Sequence, residues 1–485
     1  MRGKSAIKLT DVCFSYDGEE PQLNNLSLEI DKGECVLVTG ASGCGKTTLT
    51  RLINGLIPHY YEGELTGDLQ LNGKSTSTLA DWEYGEQVGS VFQDARSQFF
   101  TSNVLDELAF ASENYRLEAE TITQRIDQVL ELNRMDYLRE RKLSQLSSGE
   151  KQKVAMGAVE VHHPEIFVLD EPSANLDNQS NAQLAATVEQ LKRTGKTVVI
   201  ADHRIHYLME AADRVVYMAK GEIAAQWTIE EFRQLSEAQL HSYDIRKRRE
   251  IALAELLRAE TAVKEPFLSL KDLTIGYHRL APSLIKNLNI ELPKGEIVLF
   301  TGGNGLGKTT LARTLCGLNK EKAGVISIEG QLQSAKKRRG KCWFVLQDAD
   351  YQLFSDSVLN ELLLGMKKTE ENQAKAEKLL KELNLWTFKD QHPATLSGGQ
   401  KQRLVFAVGL MREPELLILD EPTSGLDAGN MRRVQRMIVD FADKGITFVI
   451  ITHDFEFAKG FGQRTIELSQ HGAQSTQQPD LALLK

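Results

Sequence analysis

The chain has 485 residues, too many for one ordinary hydrophobic core, so two or three domains are expected. With 41% hydrophobic and 26% charged residues it reads as folded and globular, and a net charge of -9 argues against a surface-wide electrostatic grip on nucleic acid. No apolar run reaches the roughly eighteen residues needed to cross a bilayer, and the basic start has no apolar segment behind it; neither a membrane span nor a signal peptide is expected, and the cytosol is the expected compartment.

Cys13, Cys35, Cys44, Cys316 and Cys342 are odd in number and form no C-x-x-C pair, which argues against both a disulfide framework and a zinc site; reduced, mostly buried thiols are expected. The basic runs Arg246-Lys247-Arg248-Arg249 and Lys336-Lys337-Arg338-Arg339 read as solvated faces.

In chain order, an alternating stretch around Ile7 to Val12 leads to Phe14-Ser15-Tyr16. Tyr16 could stack on an adenine ring or pack on its own sheet, and the recurrence of Gly276-Tyr277 in the second half favours stacking. Next comes the apolar run Cys35-Val36-Leu37-Val38 and then Gly40-Ala41-Ser42-Gly43-Cys44-Gly45-Lys46-Thr47-Thr48. This is a phosphate-binding loop in its required strand-loop-helix setting. Gly40, Ser42, Gly43 and Gly45 let backbone N–H groups turn inward around a polyphosphate, and the helix that opens at Lys46 favours an anion at its N-terminus. Lys46 is expected on the β- and γ-phosphates, Thr47 on magnesium and Thr48 within the same cradle. The second half repeats the loop after Ile297-Val298-Leu299-Phe300, with Gly302, Asn304, Gly305, Gly307, Lys308, Thr309 and Thr310 in the same parts.

Val91-Phe92-Gln93-Asp94 reads as a strand entering a polar turn, mirrored by Val345-Leu346-Gln347-Asp348. An amphipathic, helix-rich insertion follows from about Ser102 to Leu143, shorter in the second half. It ends in Leu146-Ser147-Ser148-Gly149-Glu150, matched by Leu396-Ser397-Gly398-Gly399-Gln400, each opening a further helix whose N-terminus can face an anion. The runs Ile166 to Leu169 and Leu416 to Leu419 have the continuous apolar character of buried parallel strands and end in acid pairs, Asp170-Glu171 and Asp420-Glu421. Ligands of open α/β sheets sit beyond the carboxyl ends of strands, so the inner acids, Asp170 and Asp420, can hold magnesium and the outer ones, Glu171 and Glu421, can orient an attacking water. A last apolar run in each half ends in His203 or His453, expected to contact the γ-phosphate.

Each motif therefore returns about 250 residues later with a slowly shrinking offset, the mark of a duplicated domain rather than a solenoid. The expected division is residues 1–229, a glycine-free helical connector at 230–265, and residues 266–485; the tail from Gln470 to Lys485 carries no pattern.

Phosphate loop, glutamine turn, L-S-x-G signature, acid-ended strand and histidine, in that order twice, resemble the ATP-binding cassette (ABC) ATPases over nearly the whole chain. Leu396 to Gln400 carries the most specific part of the likeness. The resemblance implies an α/β fold of two tandem nucleotide-binding domains, each a phosphate-loop core with an antiparallel β subdomain and a helical insertion. It implies ATP hydrolysis with Mg2+ as cofactor, Gln93 and Gln347 reaching the metal and the attacking water, and Ser147, Gly149, Ser397 and Gly399 contacting ATP. Family members pair their cassettes head to tail within the molecule, which would join Lys46 to the regular signature at Ser397 and Lys308 to the variant one at Ser147. Ser148 and Glu150 depart from the pattern, and Glu150 would add negative charge near an anion. Both outer glutamates are present, so both sites are expected to hydrolyse, the second more weakly.

Asp94-Ala95-Arg96-Ser97-Gln98-Phe99-Phe100 and Asp348-Ala349-Asp350-Tyr351-Gln352-Leu353-Phe354 share D-A-x-x-Q-x-F and resemble the energy-coupling-factor ATPases of vitamin and metal-ion uptake, as does Asn54 to Gly63. That resemblance implies a peripheral subunit on the cytoplasmic face of the membrane. Its partners would be an integral scaffold (T-type) and a substrate-capture (S-type) subunit; no nucleic acid is expected, and one copy per transporter is. The segment after the glutamine turn would then meet scaffold helices, the alternative being that Phe100 and Phe354 are core of the insertion. Sugar-importer ATPases and soluble two-cassette ATPases acting on ribosomes are the rival readings; the former usually carry a degraded site and the latter a strongly basic connector.

Overall fold

The buried apolar runs of each half become neighbouring strands of one sheet. The computed structural model describes residues 4–174, 176–256, 265–278, 281–303, 305–461, 464–469 and 472–474, and falls into two units, Met1–Glu250 and Ile251–Lys485.

In the first unit a six-stranded sheet runs Glu222–Thr228, Arg214–Ala219, Cys35–Gly40, Thr197–Ala201, Ile166–Asp170, Val88–Val91, parallel except for the edge strand Glu222–Thr228. Every residue of Cys35–Gly40 and Thr197–Ala201 is buried, as a parallel sheet covered on both faces requires. An antiparallel sheet of Leu23–Asp31, Ser5–Ser15, Glu64–Leu71 and Lys74–Ser75 shares one apolar core with it. Val104–Asn114, Ala119–Leu132 and Ser148–His162 form the helical insertion around a separate small core.

The second unit repeats this plan. Its large sheet runs Cys342–Val345, Leu416–Asp420, Thr447–Ile451, Ile297–Thr301, Arg464–Ser469, Gly472–Gln474, again with one antiparallel edge. Its small sheet is Ile285–Leu292, Leu268–Ile275, Ala323–Ile328 and Gln331–Leu332, and its insertion contains Val358–Leu363 and Glu370–Glu382.

The stretch 230–265 is not one helix over its described residues. Ile229–Gln234 and Glu237–Ser242 are short helices, followed by irregular chain and a single tight turn at Leu253–Glu255. Phe232, Leu240 and Ile245 are buried in the first unit's core, whereas Ile251 and Leu256 are buried in the second's. The tail from 475 onward lies outside the described residues.

The two basic runs are not wholly solvated. Arg246 is buried, and Arg248 donates to the carbonyls of Phe232, Arg233 and Leu235 at the C-terminal end of helix Ile229–Gln234. Arg338 is fully buried and donates to the carbonyls of Gln333 (2.6 Å) and Thr314 (3.0 Å) and to Glu321 (2.7 Å). A planar guanidinium with fixed donors can satisfy three acceptors at once, and that geometry outweighs its preference for water. The free cysteines are buried apart from the half-buried Cys13.

Candidate nucleotide site

Four adjacent parallel strands deliver the motifs to one sheet edge. In the first unit Cys35–Gly40 ends at the phosphate loop, Thr197–Ala201 at His203, Ile166–Asp170 at Glu171 and Val88–Val91 at Gln93. Because the strands are parallel, all four carboxyl ends lie on the same side, where open α/β sheets bind ligands. Ile297–Thr301, Thr447–Ile451, Leu416–Asp420 and Cys342–Val345 do the same for the second loop, His453, Glu421 and Gln347.

The loops need glycine for two separable reasons. At Gly40, φ is +153° and a Cβ would stand 2.2 Å from the Met218 carbonyl oxygen; Gly302 repeats this against Leu468 at 2.7 Å. Gly43 and Gly305 have open space around them but take φ of +79° and +77°, which disfavours any L side chain. The loop helices Lys46–Ile53 and Lys308–Leu315 begin at left-handed Gly45 and Gly307 without a side-chain cap, so their first-turn N–H groups suit an anion. Thr48 and Thr310 are buried in these first turns, Ser42 is exposed on its loop, and Asn304 lies outside the described residues.

Lys46 Nζ donates to the carbonyls of Gly40 (3.0 Å) and Ala41 (3.1 Å), and Lys308 Nζ to those of Gly302 (2.8 Å) and Gly303 (3.0 Å). The Thr47 hydroxyl meets Asp170 Oδ1 at 3.4 Å and that of Thr309 meets Asp420 Oδ2 at 2.7 Å. A hydroxyl facing a carboxylate beside a phosphate cradle is an all-oxygen donor set that fits Mg2+. Burial, with the neighbouring Glu171 charge, pushes the Asp170 carboxyl up to about 6, and burial raises that of Asp420. A divalent cation would reverse both shifts. Among the described residues no group of three or more His, Cys, Asp or Glu side chains forms a metal cluster.

Glu171 and Glu421 both take a left-handed backbone, φ +44° and +45°, fixed by their N–H groups donating to Ala201 O (2.7 Å) and Ile451 O (2.8 Å). Gln93 Nε2 donates to Glu171 Oε2 at 2.8 Å, and His203 Nε2 lies 3.3 Å from Glu171 Oε1. In the second unit Glu421 accepts from the His453 N–H (3.0 Å) and the Thr452 hydroxyl (3.0 Å), while His453 Nε2 meets Lys308 Nζ at 3.0 Å. Gln347 is exposed at the head of its turn.

Tyr16 is tied to the loop helix, its hydroxyl accepting from Arg51 Nη1 at 3.1 Å, and Arg51 also lies over the Tyr61 ring at 4.1 Å. Tyr277 is largely exposed, whereas Tyr16 also meets the Phe14 ring of its own sheet edge-on with centroids 4.8 Å apart. Ser147 and Ser397 are N-caps of Ser148–His162 and Gly398–Met411, with Gly149 and Gly399 buried in the first turns. The Glu150 carboxylate does not project as free charge. It accepts from Ser147 N (2.8 Å) and Oγ (2.9 Å) and pairs with Arg141 at 3.4 Å, the reciprocal cap that Gln400 makes to Ser397 N (2.7 Å).

Several residues at the site carried no sequence signal. Asp202 accepts from Ser173 Oγ (2.9 Å) and Tyr207 OH (2.7 Å), and Asp454 accepts from Thr423 Oγ1 (2.9 Å); each fixes the loop after an acid pair. Only the adjacency of Asp202 and Asp454 to the histidines hinted at them.

Two phosphate-loop α/β cassettes, each with an acid-ended strand, a glutamine turn and a signature helix, define a tandem nucleotide-triphosphate hydrolase. The chain belongs to the ABC transporter family, whose profile matches residues 23–174 and 285–424. It is an ATP-hydrolysing enzyme that uses ATP with Mg2+. A Treponema denticola chain provisionally named as an ABC transporter ATP-binding protein is 45% identical over 96% of this chain and 95% of its own length. A Bacillus subtilis chain provisionally named as the HMP/thiamine import ATP-binding protein YkoD is 31% identical over 96% of this chain and 88% of its own. A solved structure titled as ribosome-bound archaeal Pelota and ABCE1 matches 95% of this chain and 77% of its own with a TM-score of 0.66; at 22% identity it is similar in fold alone.

Proposed function

We propose that this chain is the motor subunit of an energy-coupling-factor type importer, driving uptake of a vitamin or metal ion through separate membrane subunits. One observation carries the reading: in both units the loop after the glutamine turn presents a large aromatic to solvent, Phe100 at 73% and Phe354 at 75% exposure. Neither is core of its insertion, and matched exposed aromatics mark a surface that another protein covers. The import role in the name of the Bacillus subtilis relative agrees with this. In this reading the chain is peripheral on the cytoplasmic face and its partners are an integral scaffold and a substrate-capture subunit; among the described residues no helix is long and apolar enough to cross a membrane.

In this reading Tyr16 and Tyr277 stack on adenine, Lys46 and Lys308 hold the β- and γ-phosphates, and His203 and His453 contact the γ-phosphate. Ser147, Gly149, Ser397 and Gly399 present helix N-termini to ATP. Thr47, Gln93 and Asp170, and likewise Thr309, Gln347 and Asp420, would hold Mg2+, which when bound neutralises charge on the phosphate oxygens. Glu171 and Glu421 orient a water whose oxygen attacks phosphorus in line as the bond to the β-phosphate oxygen breaks, giving ADP and phosphate. The left-handed backbone aims these carboxylates without relying on a flexible loop.

Purification from native cells in mild detergent, with mass spectrometry of what accompanies the chain, tests the reading. Small, very hydrophobic proteins in fixed ratio are expected; ribosomal proteins with no membrane partner would overturn it.

A further inference from the structure

Buried carboxylates are costly unless hydrogen-bonded or paired with a cation, and each unit holds one that the ATP chemistry does not use. Glu107, on helix Val104–Asn114, is 4% exposed, and Glu361, on helix Val358–Leu363, is 1% exposed. Among the described residues neither pairs with Lys, Arg or His. Instead each carboxylate reaches back to the loop bearing the exposed phenylalanine. Glu107 Oε2 accepts from Phe100 N (3.1 Å), Thr101 N (2.9 Å) and Thr101 Oγ1 (2.9 Å). Glu361 Oε2 accepts from Phe354 N (2.8 Å) and Ser355 N (2.6 Å).

The other end of the loop is held as firmly. The Gln98 amide accepts from Phe92 N (3.2 Å) and donates to Ser90 O (3.1 Å), bracing the loop on the edge strand just before Gln93. Gln352 does the same with Leu346 N (2.7 Å) and Phe344 O (2.9 Å). Each loop is thus a braced span with the glutamine turn at one end and a solvent-facing phenylalanine at the other; Phe100 also stacks on Phe110 with centroids 4.8 Å apart. Large apolar tips fixed by buried charge-assisted hydrogen bonds are preorganised for contact, because little loop entropy remains to be lost on binding.

We propose that Glu107 and Glu361 are positioning residues that hold Phe100 and Phe354 as rigid docking tips for membrane-partner helices. Displacement at Gln93 or Gln347 then reaches the partner instead of dissipating in a slack loop. The docking half of this inference rests on the importer reading above; the clamp itself rests on geometry alone.

The test uses the full chain with Glu107→Leu and Glu361→Leu, singly and together, which remove the oxygen that accepts the loop's N–H groups and keep a side chain of similar bulk in its place. Hydrogen exchange in the free protein should quicken about tenfold or more at residues 100–101 and 354–355; unchanged exchange overturns the clamp. ATP-driven uptake by the complex from native membranes should fall while ATPase of the free chain persists, and undiminished uptake despite a loosened loop overturns the docking role. Phe100→Ala with Phe354→Ala removes the largely exposed rings, and with Phe100 its stacking on Phe110, but none of the carboxylate's hydrogen bonds, and should copy the uptake loss with the amide protection kept. If the wild-type chain recovers no membrane partner, the importer reading and the docking role fail together, and the exchange result still decides the clamp.

Discussion

Glu160 lies near the end of helix Ser148–His162, buried, with its Oε2 accepting from Asn133 Nδ2 at 2.6 Å. Asn133 in turn accepts from the Thr187 hydroxyl at 2.9 Å, so the carboxyl links the helical insertion, the signature helix and helix Asn178–Arg193. Burial raises this carboxyl from 4.5 to about 7, and the Asn133 hydrogen bond only partly opposes the rise. Below pH 4.5 the group is protonated folded or unfolded and affects stability little. Between 4.5 and 7 the unfolded chain ionises first, so stability falls as pH rises, and above 7 the full cost is present. At roughly 1.36 kcal/mol per pH unit that cost is about 3 kcal/mol. Glu160→Gln keeps an acceptor for Asn133 and removes the charge, so it should stabilise the first unit by about 3 kcal/mol at pH 8 and by almost nothing at pH 4. Urea unfolding followed by hydrogen exchange in first-unit peptides isolates this unit from the second. A difference independent of pH, or a variant less stable than wild type at pH 8, would refute the reasoning.

Gly40→Ala should abolish ATP binding or soluble expression, because its Cβ meets the Met218 carbonyl, whereas Gly43→Ala faces open space and should cost about 1–2 kcal/mol of backbone strain; equal effects in nucleotide binding and melting would contradict the distinction. Arg338→Met strands two buried carbonyls and Glu321 and should destabilise the second unit by about 3–5 kcal/mol, read in second-unit peptides; a loss under about 1 kcal/mol would show that its buried contacts are dispensable. Glu171→Gln and Glu421→Gln together should lower ATPase activity by about 10²–10⁴-fold with ATP binding kept, and singly should cost unequal shares; equal single losses in steady-state assays would remove the asymmetry.

The fold was legible wherever one residue pattern had one physical solution. Continuous apolar runs such as Ile166 to Leu169 have few uses other than a strand buried on both faces, and parallel pairing then carries their polar ends to one edge. Side chains whose partners lie far along the chain were not legible. Arg338 sits in a run of four basic residues, and only the positions of Thr314 and Glu321 make it core. Glu150 read as a charge beside an anion, but its chemistry is local, three residues from Ser147, where a glutamate serves the helix start as a glutamine does. Glu107 and Glu361 looked like ordinary helix acids until the fold folded a loop back over them.

The acids beside the two histidines show why comparing the halves position by position misleads. Asp202 precedes His203, while Thr452 precedes His453 and Asp454 follows it, which reads as divergence. Structurally the requirement is the same: the hydroxyl of Ser173 or Thr423 needs a buried acceptor, and a carboxylate from either side of the histidine supplies it at 2.9 Å. The exchange still has a consequence. With Asp454 holding Thr423, the Thr452 hydroxyl donates to Glu421 at 3.0 Å, whereas the first unit has the Asp202 carboxyl at the position before its histidine. The outer glutamate of the second unit therefore gains a hydroxyl donor where that of the first has a second carboxyl nearby. Unequal single-variant losses at Glu171 and Glu421 are therefore expected from the acids themselves, independent of the variant signature whose charge is already taken up by Ser147 and Arg141.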